Sequence, residues 1–282
     1  MRKFGKRILG TLLGVLLVSG ATIGLFFYKI TYGFPVSYET EKPNIQFPRQ
    51  KAAILVFSKT TAFRHSESIR ASQAIFNQLA KQNNWFIYQT EAGGVFNPEQ
   101  LQQFKAVIFN NATGRVLNEE QQQALSHYVE EGGTLLGIHG AGDNSHHWPW
   151  YEQSLLGTHF SHHPINPQFQ KTTVYLEPTA SLALTRNLPP AWEHQDEWYV
   201  FTGQPQSAQV VAYINGNKII PNGNMLWIRD KNFGMGNYHP VAWHRAVGKG
   251  KTFYTAMGHS QEVWQDASFV RLLENALQWC LN

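Results

Sequence analysis

Residues 132–143 read GGTLLGIHGAGD, and this stretch decides how the chain folds. Two glycines end a helix, the run TLLGI is short and apolar, and His139 and Asp143 follow that run closely. A short apolar run without alternation is typical of a strand that is buried on both faces, as in a parallel sheet covered by helices. The stretch therefore predicts a helix stop, a central strand and a polar strand end.

The same pattern recurs along the chain. Residues 66–83 repeat at helical spacing, Asn118 and Gln121 form a capping-box pattern before the helix that ends at residue 132, and a closing helix carries Cys280 on its apolar face. Strands that alternate with helices predict a single α/β domain with a mostly parallel sheet, covered on both sides. Strands are predicted at residues 52–58, 85–90, 106–110, 134–138, 210–213, 241–244 and 252–255.

Composition and charge exclude several classes of protein. Of the 282 residues, 43% are hydrophobic and 15% are charged, which is too apolar for a disordered chain. The single cysteine excludes an intramolecular disulfide framework and a cysteine-rich zinc module. The net charge of +4 arises in the leader, because 18 of the 23 basic residues remain against 19 acidic residues once the leader is removed. The net charge of the domain therefore gives no support for nucleic-acid binding. The basic leader residues are Arg2, Lys3, Lys6, Arg7 and Lys29.

The leader has the pattern of a membrane segment. Residues 8–28 contain no charge and follow a basic flank, and as a helix they span about 30 Å, the thickness of a bilayer core. The basic flank places the rest of the chain outside the cytoplasm. A cleaved signal peptide is the alternative, because residues 19–21 (SGA) form a small-residue cleavage pattern, but the apolar run continues past them to Tyr28.

The sequence therefore divides into three parts. Residues 1–30 are predicted to be an N-terminal transmembrane anchor or signal peptide, residues 31–50 an extended, proline-containing linker, and residues 51–282 the globular domain. The expected location is the cell membrane, with a single span and the domain on the extracytoplasmic, periplasmic side.

Histidines follow three of the predicted strands. His65 lies in the loop after the first strand, His139 directly follows the strand at 134–138, and His259 follows the last strand. Ligands of open parallel sheets bind outside the carboxyl ends of the strands, so we expect the three imidazoles to converge in one crevice.

The segment between residues 144 and 168 is rich in histidine and tryptophan and has no clear period. Its pattern His159-x-x-His162-His163 has a spacing that zinc ligands use, and the adjacent Asp196 and Glu197 are candidates for a metal shell or a general base. A solvated turn is the alternative for the carboxylate pair. A divalent metal such as zinc, held by His139, His163 or His259, is one hypothesis, and a metal-free, hydrogen-bonded histidine cluster is the other.

Six motifs together make the chain resemble the ThuA (trehalose utilisation) family, over about residues 52–281. The resemblance implies a fold similar to the flavodoxin-like, class I glutamine amidotransferase-like domain. Where amidotransferases carry G-x-C-x-G, residues 137–141 read GIHGA, so histidine replaces the nucleophile and amidotransferase chemistry is set aside. The motifs are FRHSESI at 63–69, GGTLLGIH at 132–139, HP at 163–164, DEWY at 196–199, HPVAW at 239–243 and GKGKTFYTAMGH at 248–259.

The resemblance implies a role in disaccharide or keto-sugar metabolism, with a small carbohydrate as substrate or ligand. If the chain is an enzyme, we expect an activity of the hydrolase or lyase type. A non-catalytic sugar-binding or envelope-assembly domain is the alternative. The candidate catalytic residues are His65, His139, His163, Asp196, Glu197 and His259.

Overall fold

The computed structural model describes residues 2–34, 37–221 and 234–282; for residues 2–5 and 144–146 it describes the backbone alone. Pro35 of the predicted linker and the side chain of His146 therefore lie outside the described residues. Within the described ranges, nine strands form one sheet and two form another. In chain order the strands are β1 Ala53–Phe57, β2 Phe86–Thr90, β3 Ala106–Asn110, β4 Thr134–Ile138, β5 Phe160–His162, β6 Phe169–Leu176, β7 Ala191–Glu197, β8 Val200–Phe201, β9 Gln209–Ile214, β10 His239–Val247 and β11 Gly250–Thr255.

Helices connect the strands and pack against the sheet. The α-helices are α1 Arg2–Tyr32, α2 Ser66–Asn83, α3 Pro98–Leu101, α4 Glu119–Glu130, α5 Pro149–Tyr151, α6 Leu182–Thr185 and α7 Ala267–Leu281. Single turns of 3-10 helix lie at Gly93–Val95, Gly216–Lys218 and Glu262–Gln265, a longer one at His139–His147, and a π-helical turn at Glu152–Leu156.

The core explains why these apolar runs become strands. Every residue of β1, β3 and β4 is buried, and because side chains alternate along a strand, both faces of the sheet are covered here. Helix α7 buries Phe269 and Leu273, and each such side chain contributes about 1.5–3 kcal/mol relative to exposure. Cys280 is buried on the same face, and burial raises the pKa of its thiol to about 12. It is therefore a packed thiol, as the sequence predicts.

The large sheet is mixed, and the prediction of a mostly parallel sheet is wrong. Its strand order is β2-β1-β3-β4-β11-β10-β9-β6-β7, and only the first five strands run parallel to one another. Strands β10 and β11 are joined by Gly248 and Lys249 alone, with Gly248 in the left-handed region (φ 59°). A connection of two residues permits only an antiparallel pair. Strands β10, β9, β6 and β7 pair antiparallel in turn.

Strands β6 and β7 have no predicted counterpart. Alternate residues of β6 are buried, among them Gln170, Thr172 and Val174, and those of β7 include Trp192, His194 and Asp196. Most of these buried positions are polar, so the alternation of a half-buried strand is not visible as an alternation of hydrophobicity.

Helix α1 agrees with both interpretations of the N-terminal segment, a membrane anchor and a cleaved signal peptide. Its stretch from Lys6 to Tyr32 is long and apolar enough to cross a membrane, and a signal sequence meets the same criterion. The side chains of residues 6–26 are exposed, as expected of a helix that packs on nothing in the domain. The last turns, however, do meet the domain: Gly33 is buried and lies against Thr61.

The segment after the helix is extended and lies on the domain. Glu39 receives hydrogen bonds from Lys59 Nζ at 2.6 Å and from the Gly93 amide at 3.1 Å. The ring of Phe47 packs against Phe86 and Phe104. Residues 37–50 therefore hold the helix close to the domain.

The capping box at the start of α4 is confirmed. The Asn118 side chain accepts from the Gln121 amide at 2.9 Å, and the Gln121 side chain accepts from the Asn118 amide at 3.0 Å.

We expect Asn118→Ala to lower the free energy of unfolding by about 1 kcal/mol, because the Gln121 amide loses the side-chain oxygen that accepts its hydrogen bond. Ser126→Ala, in the same helix but away from its ends, is the matched control and should be neutral or slightly stabilising. Urea unfolding at pH 7 measures both. Equal stabilities of Asn118→Ala and the wild type would contradict the account of this helix.

Candidate functional site

The histidines from three strand ends meet at one edge of the sheet. Ring centroids are 4.9 Å apart for His65 and His139, 4.6 Å for His65 and His259, and 5.0 Å for His139 and His259. The predicted convergence is confirmed. It follows from the topology, because β1, β4 and β11 run parallel and their carboxyl ends lie at the same edge.

Glu197 also reaches this cluster, although its strand, β7, is the outermost strand of the sheet. Four successive antiparallel pairings separate β11 from β7, so β7 points in the same direction as β11 and their carboxyl ends lie on the same side of the sheet. Oε2 of Glu197 lies 2.9 Å from Nδ1 of His259 and 3.4 Å from Nε2 of His139. Oε1 accepts from Gln168 Nε2 at 2.6 Å and lies 3.0 Å from Nδ1 of His163. A buried carboxylate thus stands among three imidazoles.

The backbone holds His139 in an uncommon conformation. Its φ of 44° lies in the left-handed region, which costs about 1–3 kcal/mol for a residue with a side chain. Nδ1 lies 2.7 Å from the carbonyl oxygen of Ala256, and Tyr254 Oη donates to the His139 carbonyl at 2.9 Å. The first contact makes Nδ1 a donor to that carbonyl, and Nε2, on the other side of the ring, faces the cluster.

The Asp196 carboxylate accepts hydrogen bonds from the backbone around the site. This carboxylate is fully buried and accepts from the amides of Glu197 at 2.8 Å, Gly258 at 2.7 Å and His259 at 3.1 Å. The same group lies 3.4 Å from His194 Nε2. The structure therefore places Glu197 among the histidines and Asp196 behind them, where it fixes the loop that carries His259.

His194 extends this arrangement to helix α7. Its Nδ1 lies 2.6 Å from Oδ2 of Asp266, whose Oδ1 accepts from the first amides of α7. Burial lowers the pKa of His194, but hydrogen bonds to Asp196 and Asp266 and their charges outweigh it and raise the pKa to about 9. Burial likewise opposes ionisation of Asp196, and its contacts with His194 and the amide of Gly258 lower its pKa.

The three closely spaced histidines of the middle segment separate in the structure. His159 Nδ1 lies 2.6 Å from Glu152, His162 Nδ1 lies 2.9 Å from the Ser161 hydroxyl, and only His163 reaches Glu197. Among the described residues, four donor groups have ligand atoms within 4.8 Å of one another: His65, His139, Glu197 and His259. His163, one of the predicted metal candidates, is outside this group.

The charge states of the cluster follow from burial and from neighbours. Burial, together with the nearby His139 and His259, holds the pKa of His65 well below its usual value. Burial opposes ionisation of Glu197, yet contacts with His139, His259 and His163 hold its pKa well below the usual range. Neutral imidazole at His65 thus faces an ionised carboxylate.

Asp143 and Tyr199 are further groups at the site. Oδ2 of Asp143 lies 3.4 Å from the Tyr199 hydroxyl, and Oδ1 is buried with no hydrogen-bond partner among the described residues. Burial and the charge of Glu197 raise the pKa of Asp143 to about 8. The Tyr199 ring lies 4.2 Å from that of His139. The sequence signal for Asp143 is its place four residues after His139, and the signal for Tyr199 is its place in the DEWY motif at residues 196–199.

A cavity of about 640 Å³ opens onto the cluster. Glu197, His259 and Asp143 line one part of it, and Phe27 and Tyr32 from the end of α1 line another. The last turns of α1 therefore form part of the wall. The volume lies within the range of small-molecule sites.

Stability should depend on pH through His194 and its two carboxylates. A raised histidine pKa stabilises the fold fully below the unfolded value near 6.5, and this contribution is lost as the pH rises through about 9. The lowered pKa values of Asp196 and Asp266 stabilise the fold above about pH 4, and this contribution to stability is lost as the pH falls below that value.

We therefore expect His194→Gln to cost the most stability between pH 4 and 6.5, with about 3 kcal/mol of the difference from wild type lost by pH 9. Urea unfolding at a series of pH values measures this difference. His127→Gln, on the exposed face of α4, is the control and should show no such window. A difference that stays constant from pH 5 to pH 9 would refute the charged state of His194.

Comparison with known proteins agrees with the fold and with the sequence motifs. The sequence profile of the trehalose utilisation (ThuA) family matches residues 53–280. A ThuA-like protein from Bacteroides uniformis superimposes with a TM-score of 0.66 at 23% identity, over 88% of this chain and 95% of that one. A ThuA-like protein from Parabacteroides merdae gives 0.64 at 15% identity, over 83% and 91%.

A β-galactosidase from Rahnella gives a TM-score of 0.51 at 15% identity and shares only the fold, over 81% of this chain and 31% of its own. No functionally curated protein matches the chain significantly. The family match covers most of the chain and supports a carbohydrate-related role in general. The chain belongs to the ThuA (trehalose utilisation) family.

Proposed function

We propose that the chain is a membrane-tethered enzyme that processes a small carbohydrate derivative, a disaccharide or keto sugar, in the histidine-lined cavity. The observation that carries the proposal is the buried Glu197 carboxylate, which stands within 3.4 Å of two imidazoles and opens into a cavity of about 640 Å³. A carboxylate and imidazoles at hydrogen-bonding distance are the groups that acid–base catalysis uses. A reaction of the hydrolase or lyase type fits this set.

The candidate residues divide by position. His65, His139, His163 and His259 face Glu197 or one another and contact the substrate or its reacting atoms. Asp196 acts through the loop that it holds, because its oxygens are occupied by the amides of residues 197, 258 and 259. The ring of Phe63 on the cavity wall is 47% exposed and offers a face on which a sugar ring can stack.

The tether places this cavity at a membrane surface. The end of α1 forms part of the cavity wall, and residues 37–50 hold the helix against the domain. The basic residues before the apolar stretch favour a cytoplasmic N-terminus and a domain on the opposite side.

Turnover with a panel of disaccharides and their keto derivatives tests the activity, with products followed by mass spectrometry. We expect product from at least one member, and a decrease of about 10²–10⁴-fold in kcat/KM for Glu197→Gln, because the variant removes the negative charge at the centre of the catalytic cluster. Glu120→Gln, exposed at the start of α4, is the control and should retain full activity. Thermal unfolding of each variant separates loss of activity from loss of fold.

Saturable binding of a panel member without any product would instead support a sugar-binding or envelope-assembly domain. Activity that survives Glu197→Gln unchanged would contradict the proposed role of the carboxylate.

Membrane fractionation tests the tether. The full-length chain should sediment with membranes and resist extraction by high salt, because an apolar helix of this length inserts into the bilayer core. Leu16→Arg combined with Leu17→Arg should release it, since each arginine at the centre of a span costs about 3 kcal/mol. Leu182→Arg, on the exposed surface of the domain, should leave the chain in the membrane. Recovery of a soluble form that begins near Thr22 would contradict the anchor and support a cleaved signal peptide.

A further inference from the structure

We propose that His65, His139, Glu197 and His259 bind one divalent transition-metal ion. Their ligand atoms all lie within 4.8 Å of one another. The ion itself is inferred from the arrangement of these four side chains alone, and it does not depend on the proposed reaction.

The distances between the ligand atoms agree with one coordination sphere. Two ligands that are each about 2.1 Å from an ion lie about 3.0 Å apart at a right angle and about 3.4 Å apart at the tetrahedral angle. Nε2 of His139 is 3.0 Å from Nδ1 of His259 and 3.4 Å from Oε2 of Glu197, and the last two atoms are 2.9 Å apart. Three atoms from three different strand ends thus have the mutual spacing of adjacent ligands.

The three closely spaced ligand atoms face one another directly. Nδ1 of His139 lies 2.7 Å from the Ala256 carbonyl, so Nε2, on the other side of the ring, faces His259 and Glu197. Nδ1 of His259 lies within 3.0 Å of both His139 Nε2 and Glu197 Oε2. A shared cation would contact all three atoms at once.

His65 adds a fourth donor with an unmet requirement. The side chain is buried, and its Nδ1 has no hydrogen-bond partner among the described residues. The ring packs edge-on against both His139 and His259. One ring nitrogen of His65 lies within 4.8 Å of the ligand atoms of His139, Glu197 and His259, so an ion between these groups would also have an imidazole donor from His65.

The donor types define the class of ion. Three imidazole nitrogens and one carboxylate oxygen suit zinc and its neighbours such as iron, cobalt and nickel, whereas magnesium and calcium prefer all-oxygen sites. Contacts around the ligands support this assignment. The ring proton of His139 is held by a backbone carbonyl, and Gln168 and His163 hold the second oxygen of Glu197, which leaves the first oxygen for the ion.

The site is also accessible. His65, Glu197 and His259 line the cavity, and the His259 side chain is 13% exposed. In the proposed reaction, and only if that proposal holds, the ion would bind a substrate oxygen in this cavity and polarise the bond to it.

Cobalt titration of the full-length chain tests the site. The protein is prepared in detergent without a histidine tag, stripped with a chelator, and titrated with Co²⁺ while the visible absorption is recorded. We expect one equivalent to bind with a visible ligand-field band and to raise the melting temperature. His65→Gln and His259→Gln should each weaken binding by more than about 100-fold, since loss even of a group that only orients a ligand costs 10–100-fold.

His162→Gln is the matched control, because it removes an imidazole that lines the same cavity and is not one of the four donors. It should keep the stoichiometry of one. If the ligand variants fail to fold, X-ray absorption at the cobalt edge of the wild-type chain should still count three imidazole ligands.

Any of three results would contradict the metal site. They are binding of less than about one-tenth of an equivalent of Co²⁺, equal Co²⁺ affinity in His65→Gln and the wild type, or an X-ray absorption spectrum without scattering from imidazole. Failure here is distinct from failure of the proposed function. Turnover by the metal-free chain would show that the reaction does not need the ion and would still support the proposed enzyme. Tight cobalt binding without any turnover would support the metal site and contradict the proposed enzyme.

Discussion

The buried carboxylate of Asp196 is the contact on which the rest of the site depends. It joins the end of β7 to the loop after β11 by accepting three backbone amides, and it pairs with His194, which is itself held by the first turn of α7 through Asp266. A carboxylate that receives several amide hydrogen bonds remains ionised and resists displacement. The carboxyl ends of β7 and β11, which are not neighbours in the sheet, are thereby held in a fixed position relative to each other, as a cluster of functional side chains requires.

This fixed edge allows the chain to maintain an arrangement that is unfavourable by itself. Glu197 is ionised though buried, and His139 keeps a left-handed backbone, and each persists because neighbouring groups outweigh the cost. Imidazoles surround the carboxylate, and Tyr254 and the Ala256 carbonyl hold the histidine from both sides. Strain and buried charge concentrated at one point are typical of functional sites.

Sequence reasoning predicted this site in part, for identifiable physical reasons. Apolar runs followed by polar residues identify buried parallel strands and their ends, so the meeting of His65, His139 and His259 was predictable. The place of Glu197 was not, because β7 buries polar side chains such as Asp196 and its pattern does not look like a strand. The mixed sheet escaped prediction for a related reason: the direction of a strand is decided by its connections and partners, and a two-residue turn is easily read as part of a loop.

A crystal structure of the full-length chain with a carbohydrate that it binds or turns over tests the central claim most directly, namely that this cluster is the functional site. We expect sugar oxygens within hydrogen-bonding distance of the cluster of His65, His139, Glu197 and His259, with a sugar ring stacked against Phe63. A sugar bound elsewhere, for example in the shallow depression beside Glu177 and Tyr238, with the histidine-lined cavity free of it, would contradict the account.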